Sequence, residues 1–171
     1  MIRCLLASLL FAALAVGAVR AQQLPPPAPL SPPSPAALPA APPAAAQERT
    51  FCGQDVTFTL APKASIPRRY RRFFGMWSDA AWDVRTCAAL IVENIQPNGT
   101  ASILYVYGPM SDDQPGPGGV LRGTGVIQNG ELRFQNADGS QFAFRPGIVD
   151  LDGSMTTPAG QTYQSVFKQT L

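Results

Sequence analysis

From residue 87 to the C-terminus, hydrophobic and polar positions alternate in short runs separated by turns that carry glycine. Cys87–Gln96 (CAALIVENIQ) is rich in branched apolar residues, and Thr100–Tyr107 (TASILYVY) alternates between two faces. Between them stands Pro97-Asn98-Gly99, whose Asn-Gly pair supplies the positive φ that a tight hairpin demands. The pattern recurs at Val120–Gln128, which turns at Asn129-Gly130 into Glu131–Asn136 (ELRFQN), with Leu132 and Phe134 on one face. Ala137-Asp138-Gly139 predicts a turn into Gln141–Arg145 (QFAFR), and Asp152-Gly153 predicts another. Gln161–Gln169 closes the chain with Tyr163, Ser165 and Phe167 on a shared face. Short strands at regular spacing, with no helical period between them, predict an all-β domain. The expected architecture is a small antiparallel up-and-down meander of seven or eight strands, closed into a barrel that hides its edges. An open two-sheet sandwich is the competing arrangement. Gly108–Gly119 (GPMSDDQPGPGG) is the one long irregular piece, kept out of any strand by Pro and Gly.

The N-terminal part has a different texture. Arg3 precedes an uncharged apolar run from Cys4 to Val19, followed by Val19-Arg20-Ala21, the small-x-small shape that a signal peptidase needs. Residues 1–21 are therefore expected to be a signal peptide cleaved after Ala21, with retention as an anchor as the alternative. The apolar run is shorter than the roughly 20 residues that span a hydrocarbon core. Cys4 lies before that run, not after it where a lipid-modified cysteine would stand. Residues 22–48 are almost wholly Pro and Ala, with too little apolar bulk to offset their ordering entropy, and are expected to be a disordered, extended tether. Residues 49–171 remain for the β-barrel domain, enough for one core and not two.

Composition then changes the charge argument. Loss of residues 1–21 removes Arg3 and Arg20 from the 13 basic residues and leaves 11 against 11 acidic ones, a net charge of zero. Nothing in that total points to nucleic acid. The signs are unevenly spread: Glu48–Arg72 holds six basic and two acidic residues, and Phe73–Leu171 five and nine. Cys52 and Cys87 are left as an even pair, expected to form a disulfide in an oxidising compartment, secreted or periplasmic. Two unpaired buried thiols are the alternative. The chain contains no histidine, which excludes Ser-His-Asp and Cys-His mechanisms and any histidine-ligated metal. No cofactor and no metal are expected.

Phe74-Gly75-Met76-Trp77 opens the β region, and at this point the chain resembles the calycin superfamily, which groups lipocalins, avidins and the small bacterial metalloprotease inhibitors. Those families begin their first strand with Gly-x-Trp, here Gly75-Met76-Trp77. The resemblance implies that Trp77 plugs the closed end of an eight-stranded barrel and that a basic residue of the last strand packs over its ring. Lys168 is the best-placed counterpart, where lipocalins usually carry arginine. A core tryptophan beside a turn glycine is the plainer reading of the same residues. The inhibitors further imply a disulfide near the first strands, which Cys52 and Cys87 echo. They also imply an N-terminal segment that enters a protease cleft, here the stretch around Glu48-Arg49 or the Pro/Ala tether.

Trp82, Tyr105, Tyr107 and Phe134 are the candidates to line a ligand cavity, since barrel interiors receive alternate residues. Core packing accounts for them equally well. Arg68, Arg69, Arg71 and Arg72 surround aromatics in Pro67–Phe74, a set able to pair phosphates bidentately. Its plainer reading is a solvated turn capping the barrel, with Tyr70 and Phe73 facing in. Membrane association is expected only through this cluster. The carboxylates Asp79, Asp83, Glu93, Asp112, Asp113, Asp150 and Asp152 are scattered, and the adjacent Asp112-Asp113 reads as solvated loop charge. Asn98-Gly99-Thr100 matches a glycosylation acceptor, but the hairpin uses the same residues. The chain is thus expected to be an exported, non-catalytic binding module whose lipocalin-like barrel holds a small apolar ligand. The alternative is a protein-facing envelope module such as a protease inhibitor. A hollow barrel favours the first and a packed barrel the second.

Overall fold

Backbone turns set the register of this chain. Asn129 (φ 53°) and Gly130 (φ 78°) both take positive φ, the conformation of a two-residue hairpin turn, and they join Gly119–Gln128 to Glu131–Gln135. In the turn before Thr100, Gly99 has φ 91°, and the Asn98 side chain accepts the Thr100 backbone N–H at 3.0 Å. The Asp138 carboxylate does the same for the Ser140 N–H at 2.8 Å. The asparagine and aspartate side chains thus form the turns that their residue types favour.

The computed structural model describes residues 44–83, 85–110 and 116–170. The signal peptide, most of the tether and Asp112-Asp113 lie outside these residues. Ten strands are present: β1 (Ala46–Phe51), β2 (Gln54–Thr59), β3 (Gly75–Ala81), β4 (Thr86–Ile95), β5 (Thr100–Pro109), β6 (Gly119–Gln128), β7 (Glu131–Gln135), β8 (Gln141–Pro146), β9 (Asp150–Thr156) and β10 (Thr162–Thr170). The last eight close into one antiparallel barrel in the order β10-β3-β4-β5-β6-β7-β8-β9. Every neighbour in the barrel is a neighbour in sequence, apart from the closing β10–β3 pair. The meander is a closed barrel and not a sandwich.

The first two strands stand apart from it. β1 and β2 form a separate two-stranded sheet joined by Cys52 (φ 51°) and Gly53 (φ 71°). β1 already begins at Ala46, inside the stretch assigned to the tether, and Glu48-Arg49 is paired with Thr57 and Val56. That pair is therefore a fixed part of a strand and not a free N-terminal segment. The hairpin covers the outer face of β4 and β5. Val56 and Phe58 pack there with Met76, Ala89, Ile91, Leu104 and Val106 in a second core. β4 and β5 are consequently buried on both faces along their middles, which accounts for the apolar run of Cys87–Gln96 and means that the alternation expected of Thr100–Tyr107 does not separate a wet face from a dry one. Arg122 of β6 reaches across to the Thr57 carbonyl and pairs with Glu93 of β4. The Cys52–Cys87 disulfide fastens the hairpin turn to the first residues of β4.

Asp152-Gly153 is not a turn, contrary to the sequence expectation. Both residues lie inside β9, opposite Val166 and Ser165 of β10, and the chain reverses instead at Gly147–Val149, closed by the Gly147 N–H to the Asp150 carbonyl at 2.8 Å. The glycine at 153 answers to space. A Cβ there would lie 2.8 Å from Phe167 Cε2 and 3.1 Å from Phe144 Cε1, and both rings are fully buried. Gly153→Ala is expected to cost about 1–3 kcal/mol by overpacking, read as a lower urea midpoint at an unchanged slope.

Glu131, at the start of β7, lies buried between two exposed guanidiniums. Arg133 donates two hydrogen bonds to its Oε2, and Arg145 donates to its Oε1. The bond from Arg133 is the chief cause that holds the Glu131 carboxyl below the usual carboxylate range, with Arg145 adding to it and burial opposing. A lowered folded-state pKa gives stability that is complete above the unfolded value near 4.3 and is lost as pH falls through the folded value. Melting temperature is therefore expected to drop between about pH 5 and pH 2, and less so in Glu131→Gln.

Candidate functional site

The strand directions give the barrel two unlike ends. The β4–β5, β6–β7 and β8–β9 turns lie at one end, which the segment from Ala61 to Phe74 crosses. Ile66 and Phe73 are buried there against the barrel core, Tyr70 approaches Gly99, and Trp77 Nε1 donates to the Phe73 carbonyl at 2.9 Å. This is the closed end. Trp82, Asn136–Ser140 and Thr157–Gln161 lie at the other, together with the described ends of the β5–β6 connection.

Between the two ends the barrel is filled by rings. Phe144 and Phe167 meet edge to face at 5.1 Å, Trp82 sits 5.3 Å from Phe167, and Phe134 stacks on Phe142 at 4.8 Å and 15°. Leu90, Ile103, Leu132 and Leu151 complete this interior and are almost wholly inaccessible to solvent. Such geometry is that of a packed core, each ring meeting others at the separations aromatic pairs prefer.

Three of the four sequence candidates for a cavity converge at the open end. Trp82 Nε1 donates to the Tyr105 Oη at 2.6 Å, and Tyr107, two positions along β5 on the same face, stacks on Tyr105 at 6.0 Å and 21°. Burial pushes the Tyr105 phenol well above its ordinary range, so it stays neutral and anchors the indole. With Ser140, Phe142 and Met155 these side chains line a pocket of about 220 Å³. Asp83 lines the adjoining cleft: its carboxylate accepts the Arg85 and Thr86 N–H groups at 2.8 and 2.7 Å, and chiefly the first of these bonds lowers its pKa. Phe134 does not line this pocket. It lies toward the flank where β6 and β7 are joined by only three residue pairs, Val126–Arg133 to Gln128–Glu131.

At the closed end the structure separates residues that the resemblance joined. Gly75 begins the first barrel strand as expected, and Trp77 is buried behind it. Lys168, however, does not pack over the ring. It pairs with Ser78 while Gln169 pairs with Trp77, and since successive strand residues face opposite sides, Lys168 is exposed on the outer face. Gln169, Lys63, Arg71 and Arg72 surround Trp77 instead, in a hollow of about 320 Å³. Arg68 and Arg69 begin a short 3-10 turn ending at Tyr70. Arg69 lies over the Tyr70 ring at 4.7 Å and donates to the Pro97 carbonyl. Arg71 donates to the Ile66 and Ala64 carbonyls at 2.9 and 3.2 Å, and Arg72 to that of Gly147.

Sequence reasoning missed Lys63, Gln169 and the Ile148-Val149 turn that edges the same hollow. The available signal was an apolar pair between Gly147 and Asp150, where a turn normally carries polar residues. Among the described residues no three His, Cys, Asp or Glu side chains converge on one point. No protein family, curated protein or solved structure matches the chain.

Proposed function

We propose that the chain is an exported, non-catalytic binding module of the calycin kind, acting on a protein partner from the outside of its barrel, as a protease inhibitor does. The packed interior carries this reading. A barrel whose centre is taken by Phe134, Phe142, Phe144 and Phe167 has no internal room for a ligand of lipocalin type. The open-end pocket of about 220 Å³ adjoins a cleft of about 460 Å³ that shares Thr86, Tyr107, Ser140 and Met155, so the space at this end lies at the barrel mouth, above the packed rings. The Cys52–Cys87 bond is compatible with an oxidising extracellular or periplasmic location. The Gly75-Met76-Trp77 start of the first barrel strand supports the calycin assignment.

A second reading, a small apolar ligand at the open end, draws on the convergence of Trp82, Tyr105 and Tyr107. The two are separated by a single set of measurements on the chain begun at Gln22. The protein-facing reading expects no melting shift with a panel of hydrophobic compounds, and inhibition or capture of a secreted metalloprotease. It also expects that activity to vanish when residues 22–43 are removed, a deletion that spares β1. A compound-induced shift abolished by Tyr107→Ala, with no protease affected, would overturn it in favour of the small ligand.

A further inference from the structure

We propose that the closed end of the barrel docks on an anionic phospholipid surface, with the Ile148–Val149 turn entering the headgroup layer and the neighbouring cations facing lipid phosphates. Ile148 and Val149 are 97 % and 71 % exposed, in the three-residue connection Gly147–Val149. They stand at the tip between β8 and β9, on the edge of the hollow lined by Lys63, Arg71 and Arg72. The hydrogen bond from Arg72 to the Gly147 carbonyl ties the tip to the basic segment, so the two present themselves as one surface.

The charge at this end is unbalanced. The bonds of Arg69, Arg71 and Arg72 go to backbone carbonyls, which satisfy donors without neutralising charge. The ion pairs among the described residues join Arg122 to Glu93 and Arg133 and Arg145 to Glu131, and use none of the cluster. Asp150 is the acid on the hollow, and it stands opposite Lys168 in the β9–β10 register. Asp152 brings a second carboxylate close to Gly147, but Lys63, Arg71 and Arg72 on the hollow, with Arg68 and Arg69 on the same crossing segment, outnumber the two acids and leave this end net positive. A small protruding apolar tip ringed by cations suits a deformable layer of anionic headgroups, to which basic groups are drawn and into which apolar groups insert. A protein interface would instead need an extended apolar centre.

The test uses the chain begun at Gln22, which contains every described residue, in flotation with vesicles of phosphatidylcholine alone and of phosphatidylcholine mixed with phosphatidylglycerol. Binding is expected to the mixed vesicles only, and to weaken as salt is raised. Ile148→Ser combined with Val149→Ser should weaken it about tenfold or more through loss of apolar insertion. Lys63→Gln combined with Arg68→Gln should weaken it roughly 25-fold, at about fivefold for each charge. The side-chain bonds described at this end come from Arg69, Arg71 and Arg72 and not from these four side chains, so both double variants should melt like the parent. Absence of binding to the mixed vesicles, or binding unchanged in both variants, would overturn the proposal. So would binding that falls with Lys63→Gln and Arg68→Gln but ignores the change at Ile148 and Val149, which would mark a site for soluble polyanions.

Discussion

Replacing Cys52 and Cys87 with alanine is expected to lower stability by about 4 kcal/mol, close to what chain entropy assigns to a cross-link of this span. The bond joins residues 35 apart in sequence. A change of that size corresponds to a melting temperature lower by roughly 10–20 °C in a domain of this size. The loss should also be local in character. A two-stranded hairpin is marginal by itself in water, and β1–β2 is held to the barrel by the Val56 and Phe58 contacts, the Arg122 bond to Thr57 and the disulfide. The turn packs directly on β5, where a Cβ added at Gly108 would meet the Cys52 carbonyl oxygen at 2.3 Å. Hydrogen exchange in the cysteine-free variant should therefore quicken in residues 46–59 before it does in β7–β10. Uniform quickening would mean that hairpin and barrel open as one unit.

The same hairpin marks where the sequence stopped being legible. Turns at Asn98-Gly99, Asn129-Gly130 and Asp138-Gly139 announce themselves because few residue types accept positive φ without cost. Cysteine is not a turn residue, so Cys52-Gly53 hid its hairpin and β1 was absorbed into the Pro/Ala segment. Asp152-Gly153 failed in the opposite direction. Glycine serves either a backbone that must bend or a neighbour that must come close, and composition cannot tell which. At Gly153 it is the close approach of Phe144 and Phe167.

Alternation along β5 and β7 turns Tyr105, Tyr107 and Phe134 toward the barrel interior, and Trp82, just past the end of β3, joins them there. Alternation could not give their height in the barrel, and height is what separates the three around the open-end pocket from Phe134 at the flank. Lys168 turned on a single step of register. Because Trp77 faces Gln169, its neighbour in the chain points away, and a one-residue difference decides the face of every side chain in a strand. The basic groups near Trp77 come instead from the segment that precedes the barrel, a long-range placement with no periodic signal.

Phe144→Ala bears most directly on whether the barrel is a container. Its ring is wholly buried, 5.1 Å from Phe167, 5.7 Å from Phe134 and 6.3 Å from Trp82. Its removal is expected to cost about 3–5 kcal/mol, from lost transfer energy and the cavity left behind. That is a large part of the 5–15 kcal/mol typical of a domain. The walls of the new space are aromatic and aliphatic, and a cavity of that kind stays dry and accepts a small apolar molecule. Benzene should therefore raise the melting temperature of Phe144→Ala by mass action and leave the parent chain unmoved. An equal shift in the parent would mean that the interior already admits a guest, and the small-ligand reading would regain the barrel. A shift confined to the variant would mean that this sequence fills with phenylalanine the space a carrier keeps open, leaving partners to be met at its outer surface.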